Sequence, residues 1–438
     1  MTTIPREIPA ISAVPTAVDP GVTLGRGARF GLVIGAHAIC DFFSALIIPI
    51  LSVLEGRIGM SAIEGAILIG VAQVSSGLIQ PFAGRLADAV GSRYVAGLGL
   101  ALTAIGISLV GFADHYWQLI ALQAISAVGI GAFHPPGAAM AGRLAGSRRS
   151  LGLTLFFAAG TGGGVIGAAS SSGLVAARGV EALVWFMPLG LLAAVVMLVL
   201  MRGVAHNAPD AKGSHQTMDA AERRARWRAV WTLYIANVMR FTVNTALVIV
   251  VVRWSQDLVL QRHGAEALTP ALREKSSLLN GPMQAALLVG MAGGGLLLGS
   301  MIRFGRERAA LVRSPLLGSI AVIGLAYTSP VTSAMGAEHL RIPIAAVLCV
   351  LCGFGFAAVL PITFALAQRL LPHRTSLASG LMMGAAWGPA VIGTVLAQIS
   401  IDTVGLEFTF WWVGALLAAS GLFALRLDKG LLERVAPH

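Results

Sequence analysis

The chain has 438 residues, of which 56% are hydrophobic and only 12% charged, and its mean hydropathy is +0.80. A soluble domain carries about 25% charged residues. The composition therefore excludes a disordered chain, a disulfide scaffold and an ordinary soluble enzyme, and leaves a polytopic helical membrane protein.

Residues 1–28 hold Pro5, Pro9, Pro15 and Pro20 among small residues. They lack a continuous apolar run before a cleavage site, so they read as a disordered cytoplasmic tail and not as a signal peptide. Twelve apolar blocks follow, each near the about 20 residues a helix needs to cross the hydrocarbon core. They run 29–51, 61–84, 94–113, 117–142, 151–176, 181–201, 229–252, 280–302, 310–329, 341–367, 376–400 and 405–426; we number them helices 1 to 12. Transmembrane strands would alternate every second residue over about 10 residues, which these blocks do not. A basic linker, 202–228, carries Arg202, Lys212, Arg223, Arg224, Arg226 and Arg228. It divides 29–201 from 229–426, six helices on each side, and 427–438 forms a second tail.

Orientation follows from where Lys and Arg fall. With the N-terminus in the cytoplasm, the inner segments hold 23 of the 31 basic residues and the outer loops 7, with Arg240 inside a helix. Both termini are expected in the cytoplasm, with the chain in the inner membrane. The same distribution accounts for the net charge of +11 through topology and contact with anionic lipid. No interleaving of basic and aromatic residues suggests nucleic acid. Cys40, Cys349 and Cys352 are too few for a disulfide framework. The Cys349–Cys352 spacing falls inside an apolar block, where small core residues are expected and not a metal or redox pair.

Few charges lie deep in the blocks: His37, Asp41, His134 and Arg240. A charge in the hydrocarbon centre is costly, so each is a functional candidate. His37 and Asp41 share a helix face at i, i+4. An imidazole beside a carboxylate can hold and release a proton; the alternative is a backbone hydrogen bond for His37 and charge balance for Asp41. Arg240 and Asp41 sit at similar depth in helices 7 and 1 and are expected to pair in at least one state, either as a coupling device or as a static pair. Asn237 and Asn244 flank Arg240 at helical spacing. A guanidinium also suits a phosphonate or carboxylate substrate. His134 precedes Pro135 and Pro136, two residues without a backbone donor that should kink helix 4 and turn His134 to a cavity or to a neighbouring helix. Pro361 should mark the matching bend in helix 10. Trp387 can wall the cavity.

The two halves repeat. Gly129, Pro135, Arg143, Arg148, Ser150 and Gly167 each recur 226 residues later as Gly355, Pro361, Arg369, Arg374, Ser376 and Gly393. Parallel six-helix repeats are a transporter plan with the substrate near midplane between the halves. The turn after helix 2 reads Gly84-Arg85-Leu86-Ala87-Asp88-Ala89-Val90-Gly91-Ser92-Arg93. It resembles the signature between helices 2 and 3 of the major facilitator superfamily. The second-half counterpart, from Gly299 to Arg306, lacks the acid. Phe133-His134-Pro135 and the Gly-rich helix 5, Gly160-Thr161-Gly162-Gly163-Gly164, resemble the fosmidomycin-resistance branch, over nearly the whole chain. That branch continues Phe-His-Pro-Glu, whereas Pro136 stands here.

The resemblance implies an all-α membrane protein, with 12 transmembrane helices in two pseudo-symmetric six-helix bundles. It also implies a latch of Gly84, Asp88, Gly91 and Arg93, with Asp88 near Thr375 and Ser376, and a cavity lined by helices 1, 4, 7 and 10. The activity it implies is proton-coupled efflux of a small, phosphonate-like drug or metabolite. Other readings on the same fold are a metabolite or siderophore carrier and a non-transporting receptor or scaffold. No phosphate-binding Gly-Lys-Ser/Thr loop or metal-ligand motif occurs. No cofactor or metal is expected, and the partners are substrate, protons and lipid around a monomer.

Overall fold

The computed structural model describes residues 24–146, 149–202, 219–301, 306–371, 378 and 381–435, and every regular element among them is helical. Ten helices among these residues are long and apolar enough to cross a membrane. The remaining two, helices 1 and 11, are interrupted. Helix 1 runs Arg26–Ser44 and resumes as Leu51–Ile58. The break contains Pro49, which has no N–H to continue the ladder. Helix 11 passes through a π turn at Leu381–Ala385 before Ala386–Ala390 and Ile392–Val404.

Local chemistry sets the other boundaries. Helix 2 (Ala62–Val90) starts on a capping box in which Ser61 Oγ accepts from the Glu64 N–H and Glu64 Oε2 accepts from the Ser61 N–H at 2.8 Å. It ends at Gly91, whose φ of +110° turns the chain into helix 3 (Ser92–Ser108). Helices 4 (Tyr116–Ala145) and 5 (Arg149–Arg178) lead to helix 6 (Met187–Leu200). Helix 7 holds neither Gly nor Pro from Ala220 to His263 and runs unbroken for 44 residues, to Gly264 in the left-handed conformation. At 1.5 Å per residue that is about 66 Å, twice the hydrocarbon thickness. Residues 220–228, read as linker, are thus its first turns, and Arg226 there donates to Leu370 O. Helices 8 (Pro270–Met301), 9 (Glu307–Ala326), 10 (Arg341–Ala357, then Leu360–Leu370) and 12 (Leu406–Phe423) complete the bundle.

The repeat seen in the sequence is a repeat of packing. Gly167 lets helix 5 close on helix 1, where a Cβ would meet Phe42 O at 2.3 Å. Its mate Gly393 does the same for helices 11 and 7, against Thr242 O at 2.3 Å. Between halves, helix 5 packs on helix 8 and helix 2 on helix 11. Side-chain hydrogen bonds and an ion pair join the halves at the end of the molecule holding the helix 1 break. There Ser277 Oγ donates to Pro49 O at 2.9 Å and Asn280 Nδ2 to Ile48 O at 3.0 Å. Carbonyls freed by the break in one half are therefore met by side chains of the other.

Candidate functional site

Helix 1 presents His37 and Asp41 from adjacent turns, and helix 4 brings His134 against both. His134 Nε2 lies 3.3 Å from Asp41 Oδ1, His37 Nε2 lies 3.4 Å from Asp41 Oδ2, and the two Nε2 atoms are 3.2 Å apart. His37 Nδ1 is 2.6 Å from Phe156 O of helix 5, and His134 Nδ1 is 2.8 Å from Ile130 O in its own helix. A carbonyl can only accept, so each Nδ1 carries a hydrogen. In the neutral rings both Nε2 lone pairs then face each other and the carboxylate. Such an arrangement repels itself unless a positive charge sits among the three groups, and a shared proton is enough. The three ligand atoms lie within 4.8 Å of one another, a spacing at which one cation can also touch all three.

The surroundings tune access. His37 is 1% exposed and stacked on Phe156, with ring centroids 3.8 Å apart. The side chains of His134 and Asp41 are 21% and 22% exposed. Helix 5 covers the cluster through Gly160, where a Cβ would fall 2.4 Å from His37 Cε1 and 2.5 Å from Asp41 Oδ2. Helix 4 remains helical through Pro135 and Pro136. The missing donors leave the carbonyls of Gly131 and Ala132 without i+4 partners. In helix 10 the backbone is interrupted at 358–359, directly before Pro361.

The other half places its candidates differently. Arg240 is wholly buried; Nε donates to Ala236 O at 3.1 Å and Nη1 to Thr363 Oγ1 at 3.4 Å, while Nη2 has no partner among the described residues. The expected Asp41–Arg240 pair does not form in this conformation: the ion-pair partners of Asp41 are the two histidines. The reason lies in the register of the repeat. His37 bonds Phe156 O as Asn237 Nδ2 bonds Met382 O at 3.2 Å, so helix 7 matches helix 1 at an offset of 200 and helix 11 matches helix 5 at 226. The mate of Asp41 is Phe241. Arg240 is one residue earlier, about 100° around the helix. Asn237 Oδ1 has no partner, and Asn244 is half-buried with no side-chain hydrogen bond among the described residues. Trp387 stacks on Phe241, with centroids 4.3 Å apart.

Of the residues read as the turn after helix 2, Gly84 lies inside helix 2 and only Gly91 lies between helices 2 and 3; Gly84 sits 3.8 Å, measured from a built Cβ, from Pro135 Cβ. Arg93 donates to the Tyr94 hydroxyl and lies over its ring. The Asp88 side chain and residues 372–377 lie outside the described residues, as do residues 1–23, 203–218 and 302–305.

The sequence reading missed one buried charge cluster. Glu55 of helix 1 accepts from Arg253 Nη2 at 2.6 Å and Nη1 at 2.8 Å, and from Gln256 at 3.2 Å, with Arg273 at 3.8 Å. Arg253 also donates to Gln398 and to Ala62 O. Glu55 and Arg253 had been assigned to loops. The absence of Gly and Pro up to Gly264 was the available signal that helix 7 continues past Arg253.

A sequence profile of the Major Facilitator Superfamily matches residues 33–388. The chain belongs to that superfamily. Relatives of this transporter include the fosmidomycin resistance protein of Escherichia coli, 22% identical over 402 residues, 90% of this chain and 92% of the relative. An uncharacterized MFS-type transporter of Bacillus subtilis, YfnC, is 23% identical over 408 residues, 92% and 94% of the two chains. Among solved structures, a POT family transporter in complex with a thioalcohol-conjugated peptide matches with a TM-score of 0.71 at 14% identity, over 92% of this chain and 96% of that one. A bacterial homologue of the human lysosomal transporter Spinster, inward-facing and occupied, matches with a TM-score of 0.65 at 15% identity, over 94% and 97%. Both likenesses concern the fold. The protein is a multi-pass secondary transporter and not an enzyme.

Proposed function

We propose that this transporter exports a small anionic molecule in exchange for protons, by alternating access across the inner membrane with both termini in the cytoplasm. The observation that carries this reading is the cluster of Asp41, His37 and His134, three titratable groups on two helices whose neutral histidines would repel each other without a proton between them. Arg240, a wholly buried guanidinium with a free Nη2, supports an anionic substrate, because a cation at membrane depth calls for a counter-charge. Asn237, Asn244, His134 and Trp387 complete the substrate surface, and Pro135, Pro136 and Pro361 supply the bends. The Gly84–Asp88–Gly91–Arg93 turn latches helix ends on the cytoplasmic side. With this orientation the end sealed by the Ser277, Asn280 and Glu55 contacts faces outward. The fosmidomycin resistance relative favours a phosphonate and efflux.

The test is proton flux in liposomes holding the purified protein and a trapped pH dye, challenged with fosmidomycin, other phosphonates, carboxylates and cationic dyes. Wild type is run beside Asp41→Asn. A phosphonate or carboxylate is expected to move protons through wild type and not through the variant. Transport of a compound without proton movement, unaffected by Asp41→Asn, would remove the proton-coupled reading.

A further inference from the structure

His37 and Asn237 do the same job in the two halves. Each sits on the first helix of its half and donates a side-chain N–H to a backbone carbonyl of the fifth helix, Phe156 O at 2.6 Å and Met382 O at 3.2 Å. The carbonyl residues are themselves repeat mates, 226 apart, and so are Gly167 and Gly393, which close the same helix pairs. An amide cannot titrate in this range, so in helix 7 the bond is purely a strut. The strut fixes three properties of His37: the ring plane, the Nδ1–H tautomer, and an Nε2 lone pair aimed at Asp41 and His134.

We propose that His37 is a positioning residue, and that the exchangeable proton resides between His134 Nε2 and Asp41. This rests on the proton-coupled reading above and divides the labour within it. His37 is 1% exposed and pinned between Phe156 and the rest of its helix pair, whereas His134 and Asp41 are each about a fifth exposed. A proton arriving at the exposed side of the cluster therefore meets His134 and Asp41 first. With Nε2 of His134 protonated, one N–H faces two acceptors, Asp41 Oδ1 at 3.3 Å and His37 Nε2 at 3.2 Å. His37 then accepts and holds His134 in place without taking the proton away. The groups facing the pair are few. Helix 5 brings Phe156, Phe157 and Gly160, none titratable, and Cys40 of helix 1 is wholly buried. Apart from His37 and Cys40, no acid or base faces the pair among the described residues packed on it.

The repeat supplies its own test variant. His37→Asn installs the other half's strut and removes the imidazole, while His37→Ala removes both. In the full chain in lipid nanodiscs, ¹⁵N-histidine spectra assigned with His37→Asn and His134→Asn should show His37 as the Nδ1–H tautomer from about pH 5 to about pH 8. His134 should change over the same range and stop doing so in Asp41→Asn. In the liposome assay with fosmidomycin and the other phosphonates, His37→Asn, which keeps the strut but loses the Nε2 acceptor facing His134, should slow proton movement without abolishing it. His37→Ala should fall well below His37→Asn, and His134→Asn should lose proton movement. A well-folded His37→Asn with no proton movement, or a His37 signal that changes tautomer or protonation with pH, overturns the assignment. Wild type moving no protons would sink the proton-coupled reading alone, because the spectra still decide which histidine is fixed.

Discussion

The two halves of this transporter share a scaffold and divide the chemistry. Helices 1 and 5 meet across His37–Phe156 and Gly167–Phe42; helices 7 and 11 meet across Asn237–Met382 and Gly393–Thr242. At equivalent positions, Asp41 corresponds to Phe241, Gly160 to Ala386, His134 to Leu360, and Cys40 to Arg240. The first half concentrates its ionisable groups at the cavity and pairs them. The second half puts a stacked Phe241–Trp387 at the matching place and buries an unpaired cation one residue away. Duplicating helix crossings constrains the backbone and the small residues at contacts. It leaves side chains that face the cavity free to diverge, so the halves can take different tasks in one cycle.

The seam between them is where a single change has the largest expected effect. Glu55 of one half meets Arg253 and Arg273 of the other, with Glu55 and Arg253 both buried. Removing one partner of a buried pair strands the other charge, at about 3–5 kcal/mol. Glu55→Ala should therefore disfavour the sealed end and open it. Because Cys40, Cys349 and Cys352 are all buried, a reporter Ser276→Cys can be read against a quiet background. Its maleimide labelling should rise by about 100-fold in the Glu55→Ala protein; equal labelling in both would mean the pair does not hold this end.

Arg240 breaks the comparison in the other direction. Its mate Cys40 is a small buried residue, and Arg240 carries a charge in the same kind of place with no ion-pair partner among the described residues. Replacing an uncompensated buried charge with an apolar side chain of similar length costs little stability and can add some. Arg240→Met should leave the melting temperature unchanged or raised. Loss of a charged contact to substrate is worth about 2–5 kcal/mol, so transport of the phosphonate or carboxylate found in the liposome screen should fall by at least about 30-fold. A destabilised protein that still carries the anion would mean that Arg240 is structural.

Sequence reading reached the architecture because hydrophobic length and the 226-residue repeat are properties of the chain itself. It reached His37, Asp41, His134 and Arg240 because charges in apolar blocks are visible without coordinates. It reached the His37–Asp41 contact through the i, i+4 spacing, but neither the approach of His134 to both nor the partners of Arg240. Which face Arg240 shows depends on the helix 1 to helix 7 offset of 200, and the six identities all fall in helices 4, 5, 10 and 11 and their connections, where the offset is 226. The Glu55–Arg253 pair was hidden because a window of about 20 residues ended helix 7 at Val252, one residue before Arg253 and eleven before its end at His263. The helix 1 break was foreshadowed by Pro49, but nothing local tells that Ser277 and Asn280 of the other half satisfy its carbonyls.

Gly160 and its mate Ala386 allow a smaller, more pointed comparison. Ala386 already carries a Cβ where helix 11 meets helix 7. Gly160 cannot, because the Cβ would press on His37 and Asp41 at 2.4–2.5 Å. Overpacking of this kind costs about 1–3 kcal/mol. Gly160→Ala should lower the melting temperature and separate His134 from Asp41, which would shift the pH profile of proton movement. Ala386→Gly should cost only about 0.5–1 kcal/mol, through helix propensity, and leave that profile where it is. Equal effects of the two changes would mean that the helix 5 contact is ordinary packing with no bearing on the cluster.

The smallest expected effect belongs to the aromatic pair. Phe241 and Trp387 stack at 15° with centroids 4.3 Å apart, and Trp387 lies beside Gly77 of helix 2, 3.7 Å from its built Cβ. The stack thus stands where the second half borders the first. A stacked pair contributes about 0.5–1.5 kcal/mol beyond the area it buries. Its first-half counterpart, Thr161, has no ring and spends its hydroxyl on Phe157 O in its own helix. In a double-mutant cycle on thermal stability, Phe241→Leu and Trp387→Leu should show a coupling of about that size, whereas Asp41→Asn and Thr161→Val should be additive. A coupling near zero for the aromatic pair would mean that the stack shapes the cavity wall without tying helix 7 to helix 11, leaving the Asn237 and Thr245 hydrogen bonds to carry that junction.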